Sequence, residues 1–220
     1  MESQFPITLT LILVIFTCIF SYNGLNNKSV QSKFLMHPAS VKEFGQWYRF
    51  ITSGFLHGSY MHLGINMFVL WQFGESLEGW FMDQFGDLIG RVYFVILYFG
   101  AIIVGSLPPY IKHQDNQYYS ALGASGGVSG ILFASIFVSP WSYLGFMLVI
   151  PMPYVVFGVL YLFYESYMGK KGGTGIAHDA HIAGAIFGYL AVIGFLLTLG
   201  PEIVDLYFQR LMAGPRPLSF

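Results

Sequence analysis

Residues 116–164 read NQYYSALGASGGVSGILFASIFVSPWSYLGFMLVIPMPYVVFGVLYLFY, a run without a single Asp, Glu, Lys or Arg. A helix needs about 20 predominantly apolar residues to cross the hydrocarbon core of a bilayer, so the run is too long for one crossing. Ser139-Pro140-Trp141 divides it, because proline ends the helix before it and can open the next. Two membrane helices are therefore predicted, at about 124–139 and 141–165, the second kinked by Pro151 and Pro153.

The flanks repeat the pattern. Charge-free stretches at Phe5–Tyr22, Phe55–Gly74, Val92–Ile111 and Ala180–Pro201 predict helices at about 5–22, 58–78, 90–111 and 178–199. The composition agrees: 55% of the 220 residues are hydrophobic and only 10% charged. An ordinary soluble domain carries about 25% charged residues, and a surface with so few is solvated by lipid instead. The expected fold class is an all-α membrane protein, a bundle of six transmembrane helices over residues 1–200, with a short tail at 201–220. The first partner implied is thus the lipid bilayer. A formal net charge of −1 with no basic tract gives no sign of a nucleic-acid partner. The single cysteine, Cys18, has no partner for an internal disulfide. Phe5–Tyr22 follows Met1-Glu2-Ser3-Gln4, without a basic n-region, and no small-x-small cleavage site follows it, so a retained span is expected.

The first loop, about 23–56, is long and partly interfacial in character. Ser40-Val41-Lys42-Glu43 reads as a capping box, and Phe44, Trp47, Tyr48, Phe50 and Ile51 follow it. Such a pattern suits short helices lying in the membrane interface. Charge does not set the orientation. The side of the termini carries Arg91, Arg210 and Arg216, whereas the other carries Lys28, Lys33, Lys42, Arg49, Lys112, Lys170 and Lys171. Without the first loop the two sides balance, three against three.

Polar groups within a bilayer are expensive and mark functional candidates. Three clusters qualify. Gly123-Ala124-Ser125-Gly126-Gly127-Val128-Ser129-Gly130 opens the fourth helix, where a serine hydroxyl lies beside unpaired N–H groups and the positive end of the helix dipole. Those are the needs of a nucleophile whose reaction generates an oxyanion. The bland alternative is packing, with Gly126 and Gly130 as a small-xxx-small face. In the sixth helix His181 shares a face with Gly184 and Gly188. It reads as a general base if that face meets the fourth helix, or otherwise as an interhelical hydrogen bond. At the start of the second helix His62 and Asn66 stand at i and i+4, either as two donors to one site or as polar glue. His57, His62, His178 and His181 are of a type that binds zinc, but there is no His-Glu-x-x-His and no cysteine nearby, so no metal is expected.

Taken together, and in this order, these motifs resemble the rhomboid family of intramembrane serine proteases. The family pattern is an aromatic-Arg in the first loop, His-x4-His-x3-Asn in helix two, Gly-x-Ser-Gly in helix four and Ala-His-x-x-Gly-x-x-x-Gly in helix six. Here Tyr48-Arg49, His57/His62/Asn66, Gly123-Ala124-Ser125-Gly126 and Ala180-His181 with Gly184 and Gly188 supply it. The likeness runs from about Trp47 to Tyr189, giving a catalytic core at about 47–190. Glu78, twelve residues after Asn66, matches a family position that ties helix two to the first loop.

The resemblance implies a serine endopeptidase that cuts single-pass membrane proteins with a Ser125–His181 dyad and no acid member. His62 and Asn66 would assist the Ser125 N–H at the oxyanion, and no cofactor is implied. It places both termini in the cytoplasm, in the plasma membrane of a bacterium. Two departures stand out. A second Gly-x-Ser-Gly overlaps the first, and Ser129 stands where some bacterial relatives carry a ring against the histidine, leaving His181 less firmly held. Asp179, two residues from His181, points to another helix face and builds no triad. The rival readings are a pseudoprotease that binds membrane proteins without cutting them, and a small transporter. Both Ser125 and His181 are present, which speaks against the first. The apolar runs Ile131–Val138 and Tyr189–Leu197, which stop any polar stripe partway, speak against the second.

Overall fold

The computed structural model describes residues 7–144, 151–172 and 175–215. Phe5, Arg216 and the middle of the expected fifth helix, residues 145–150, lie outside the described residues.

Helix α1 spans Leu9–Asn26 and is capped by Thr8, whose hydroxyl accepts from the Leu11 N–H. The first loop then folds into three short helices, α2 at Lys28–Phe34, α3 at Pro38–Phe44 and α4 at Arg49–Thr52, and a 3₁₀ turn at Ser53–Phe55. The capping box expected at Ser40 is not the start of α3. Pro38 occupies its first turn and His37 caps it, accepting from the Ser40 N–H, because proline has no N–H to leave unpaired there. Arg49 organises this loop: it is 7% exposed and donates to the carbonyls of Ser32 and Leu35 and to the Gln46 side chain at 2.6–3.0 Å.

The long helices follow. α5 runs Tyr60–Phe85, started by Ser59, whose hydroxyl accepts from the His62 N–H. α6 runs Asp87–His113, α7 Ser125–Val138, α8 Tyr154–Lys171, α9 His178–Leu197 and α10 Pro201–Met212. α1, α6 and α9 are long and apolar enough to cross a bilayer on length and composition alone. Large apolar side chains such as Ile19, Val159, Phe163 and Leu190 face outward, which suits a lipid surround. α7 is different. All of Gly126–Val138 is buried, so it is the central post of the bundle. Its 14 residues give about 21 Å of rise, against about 30 Å of hydrocarbon. A helix of that rise falls short of a full crossing.

The fifth helix starts later than expected. Tyr143–Leu144 pairs antiparallel with Met152–Pro153, and α8 begins only at Tyr154. Two prolines two residues apart drive the residues before them towards extended backbone, so Pro151 and Pro153 delay the helix rather than kink it. The tail is also more than a tail. α10 buries Val204 and Tyr207, and the Tyr207 hydroxyl accepts from the Trp80 indole at 3.2 Å, holding α10 against α5.

Inside the bundle, close approach is permitted by glycine. A Cβ on Gly184 would collide with the Gly126 carbonyl, and one on Gly188 with the Gly130 carbonyl. α7 and α9 thus touch backbone to backbone, the packing that substitutes for the hydrophobic effect where the solvent is itself apolar.

Glu78 departs from expectation. Its buried carboxylate accepts from the N–H groups of Leu9 and Thr10 and the Thr10 hydroxyl at 2.8–2.9 Å, and pairs with Arg91 at 3.0 Å. It ties α5 to the start of α1 and to α6, not to the first loop. The free N–H groups of a helix N-terminus are a ready anion site, and here a neighbouring helix fills it.

Candidate active site

The segment before α7 is pinned from three sides. Met36 and Ala121 exchange backbone hydrogen bonds at 2.9 and 3.0 Å, joining it to the first loop. The Gly123 N–H donates to the Ser53 carbonyl, and the Ala124 N–H donates to His57 Nε2 at 3.4 Å. With Nε2 accepting, the His57 proton sits on Nδ1 and points to the Ser21 hydroxyl of α1, 3.1 Å away. Burial, and secondarily His62, pushes the His57 imidazole down to about 3, so it stays neutral as this tautomer requires. The folded first loop is therefore part of the scaffold that places Ser125.

Ser125 begins α7 and is only partly buried. The N–H groups of Ser125, Gly126 and Gly127 find no backbone acceptor among the described residues, the first ladder bond being Val128 N–H to Ala124. His181, in the first turn of α9, puts Nε2 2.7 Å from Ser125 Oγ. Two residues 56 apart in sequence meet because the Gly126/Gly130 and Gly184/Gly188 faces let the helices close.

His62 approaches from α5. A Cβ on Gly123 would lie 3.2 Å from His62 Nε2 and 3.4 Å from Ser125 Oγ, so this glycine, at φ +139°, keeps open the space between the two. Asn66 is buried and engages one of its amide hydrogens with the His62 carbonyl at 2.9 Å, leaving its second for another acceptor. A cavity of about 40 Å³ adjoins Ser125, bounded by Met36, Ser53, Gly105, Gly123 and Ala180. It has room for at least one water.

Ser129 does not compete for the histidine. It is buried, and its hydroxyl lies 2.6 Å from that of Tyr161 on α8. His178 presents its ring edge-on to His181, with centroids 6.1 Å apart. Asp179 accepts from the Ala180 N–H and takes no part. One residue was missed altogether. Glu165, one turn beyond Tyr161, reaches into the same corner, with Oε2 2.6 Å from His178 Nδ1 and 3.0 Å from His181 Nδ1. Glu165, His178 and His181 offer three donor atoms within 4.8 Å, a combination of types that zinc accepts. In the present arrangement the carboxylate oxygen is already hydrogen-bonded to His178, and His181 Nε2 faces Ser125.

Comparison with known proteins gives the family. A sequence model of the Rhomboid domain matches residues 44–198. The chain belongs to the rhomboid family. It is 28% identical over 175 residues to RHOMBOID-like protein 12, mitochondrial, of Arabidopsis thaliana, covering 76% of this chain and 51% of that one. It is 28% identical over 141 residues to Presenilin-associated rhomboid-like protein A, mitochondrial, of Danio rerio, covering 63% and 35%. With the rhomboid relative YdcA of Bacillus subtilis it shares 29% identity over 94 residues, covering 43% and 42%. The chain thus spans about half the length, or less, of these rhomboid relatives. As a rhomboid protein it is an integral membrane protein, and its family consists generally of serine proteases.

Proposed function

We propose that this rhomboid protein is an intramembrane serine endopeptidase that hydrolyses a peptide bond of a single-pass membrane protein. The observation that carries the reading is the 2.7 Å approach of His181 Nε2 to Ser125 Oγ beside the free N–H groups that open α7. His181 takes the Ser125 proton as Oγ adds to the substrate carbonyl, and returns it to the departing amine. Water then enters through the cavity beside Ser125 and repeats the sequence on the acyl-enzyme. The first-turn N–H groups hold the oxyanion, with His62 and Asn66 at its flank. We read the short α7 as starting below the membrane surface, with Ser125 open to water from one side.

The reading is tested by reconstituting the chain in liposomes with a single-pass reporter that carries a small residue near one end of its span. Two fragments are expected, and a reporter left intact contradicts the reading. Asn66→Ala in the same assay slows cleavage about 10²–10³-fold with little change in folding, because the donor matters mainly once charge develops. An unchanged rate removes Asn66 from the oxyanion site. The host membrane we propose is the plasma membrane of a bacterium, with the termini in the cytoplasm, whereas the relatives from Arabidopsis thaliana and Danio rerio are mitochondrial by name. A C-terminal reporter fusion is expected to be active only inside the cell, and an exported reporter reverses the orientation.

A further inference from the structure

A carboxylate inside a bilayer is kept only where something holds it. Glu165 is 4% exposed, in a helix that is apolar from Tyr154 to Phe163, and both of its partners among the described residues are histidines at the entrance of α9. We propose that Glu165 is a positioning residue for the reaction, the acid behind His181, so that the site works as Ser125–His181–Glu165. The proposal rests on the endopeptidase reading and departs from the acid-free dyad that the resemblance implies.

The geometry carries the assignment. If His181 is to take a proton at Nε2, that nitrogen must be the acceptor of the Ser125 hydroxyl, 2.7 Å away, and the neutral ring must carry its hydrogen on Nδ1. Glu165 Oε2 lies 3.0 Å from that Nδ1. It is out of line with the Nδ1–H direction, which leaves Nδ1 buried without an aligned hydrogen bond. A small rotation of the ring completes the bond, and catalytic hydrogen bonds commonly tighten when substrate binds. When Oγ adds to the carbonyl carbon, the Ser125 proton moves to Nε2 and His181 becomes a cation. The Glu165 carboxylate faces that charge and keeps its own proton count throughout, as the acid of a serine-protease triad does. The proton on Nε2 then passes to the leaving amine as the C–N bond breaks.

His178 supports the carboxylate rather than the serine. Its Nδ1 lies 2.6 Å from the same Oε2, so Glu165 is fixed from α9 while it is carried by α8. Tyr161, one turn earlier, fastens α8 to α7 through Ser129. The two contacts at i and i+4 hold one face of α8 against the site.

The test uses the full chain in liposomes and follows Glu165→Gln and Glu165→Asp. Glu165→Gln is expected to lower kcat by about 10-fold or more with KM unchanged, short of the about 10⁴ lost when a triad acid becomes an amide elsewhere. Glu165→Asp, which keeps the charge, recovers part of the rate. Nitrogen-15 spectra of histidine-labelled protein are expected to find His181 as the Nδ1–H tautomer in the wild type and as a mixture in Glu165→Leu. Wild-type kcat in Glu165→Gln overturns the proposal. So does loss of activity to a zinc chelator with recovery on adding zinc, which would make the Glu165/His178/His181 cluster a metal site. If the wild type cleaves nothing, the tautomer still decides. Dependence on Glu165 upholds the pairing and removes only the endopeptidase reading, whereas independence overturns the pairing itself.

Discussion

Ser125→Ala is expected to eliminate cleavage, while Ser129→Ala is expected to keep most of it. Both serines stand in Gly-x-Ser-Gly and one turn apart on α7, so the motif alone does not choose between them. The surroundings do. Ser125 is partly exposed, meets His181 at 2.7 Å and sits among N–H groups that have no ladder partner. Ser129 is 3% exposed and hydrogen-bonded to Tyr161, and one turn into a regular helix its own N–H is in the ladder. Removing a nucleophile leaves only the background from binding and the oxyanion site, a loss of about 10⁶ in kcat in a serine protease studied this way. Ser129→Ala deletes one hydrogen bond, a matter of about 1 kcal/mol of stability, and leaves the reacting groups in place. Fragment yield by gel, with thermal unfolding of each variant in detergent, separates the two.

The second large effect is expected at Gly188. A side chain there meets the backbone of Gly130, which cannot move aside as a flexible side chain would. Overpacking a well-fitted contact costs about 1–3 kcal/mol and sometimes more. Here the strain has one outlet, which is to part α7 from α9. Parting them separates Ser125 from His181, so Gly188→Leu is expected to lose activity and several degrees of thermal stability together. Gly194 lies on the same helix with nothing within 4 Å of a Cβ placed there. Gly194→Leu is therefore expected to keep both, and equal loss in the two variants would refute the backbone-contact argument.

The pairing of α7 with α9 was legible in the sequence because glycine at a four-residue interval has few uses inside a membrane other than close packing. Ser125 and His181 were legible only when the motifs were taken together as a family pattern, since each cluster alone also reads as helix packing. The start of α8 was not legible. Residues 141–153 are as apolar as the helix they precede, and only the pairing of Tyr143–Leu144 with Met152–Pro153 shows that this stretch is extended at its described ends. Glu78 was visible as a buried acid in a long helix, but its partners are the free N–H groups of α1, and which helix end lies beside it is a tertiary fact. Glu165 was passed over for a simpler reason. It closes the charge-free run at Tyr164 and reads as the edge of the membrane, with Lys170 and Lys171 shortly after. The signal was its spacing from Tyr161, two polar groups at i and i+4 on an apolar helix. His57 shows the converse: its place in the His-x4-His motif was plain, whereas its work in bridging α1 and the turn before Ser125 needed the fold.

The central claim is that Ser125 is an activated nucleophile, and a fluorophosphonate probe tests it without any knowledge of the natural substrate. The purified wild type is treated with the probe, digested, and the modified residue located by mass spectrometry. A single adduct is expected on Ser125, absent from Ser125→Ala and greatly slowed in His181→Ala. An adduct on Ser129, or no serine adduct on a folded wild-type protein, would contradict it.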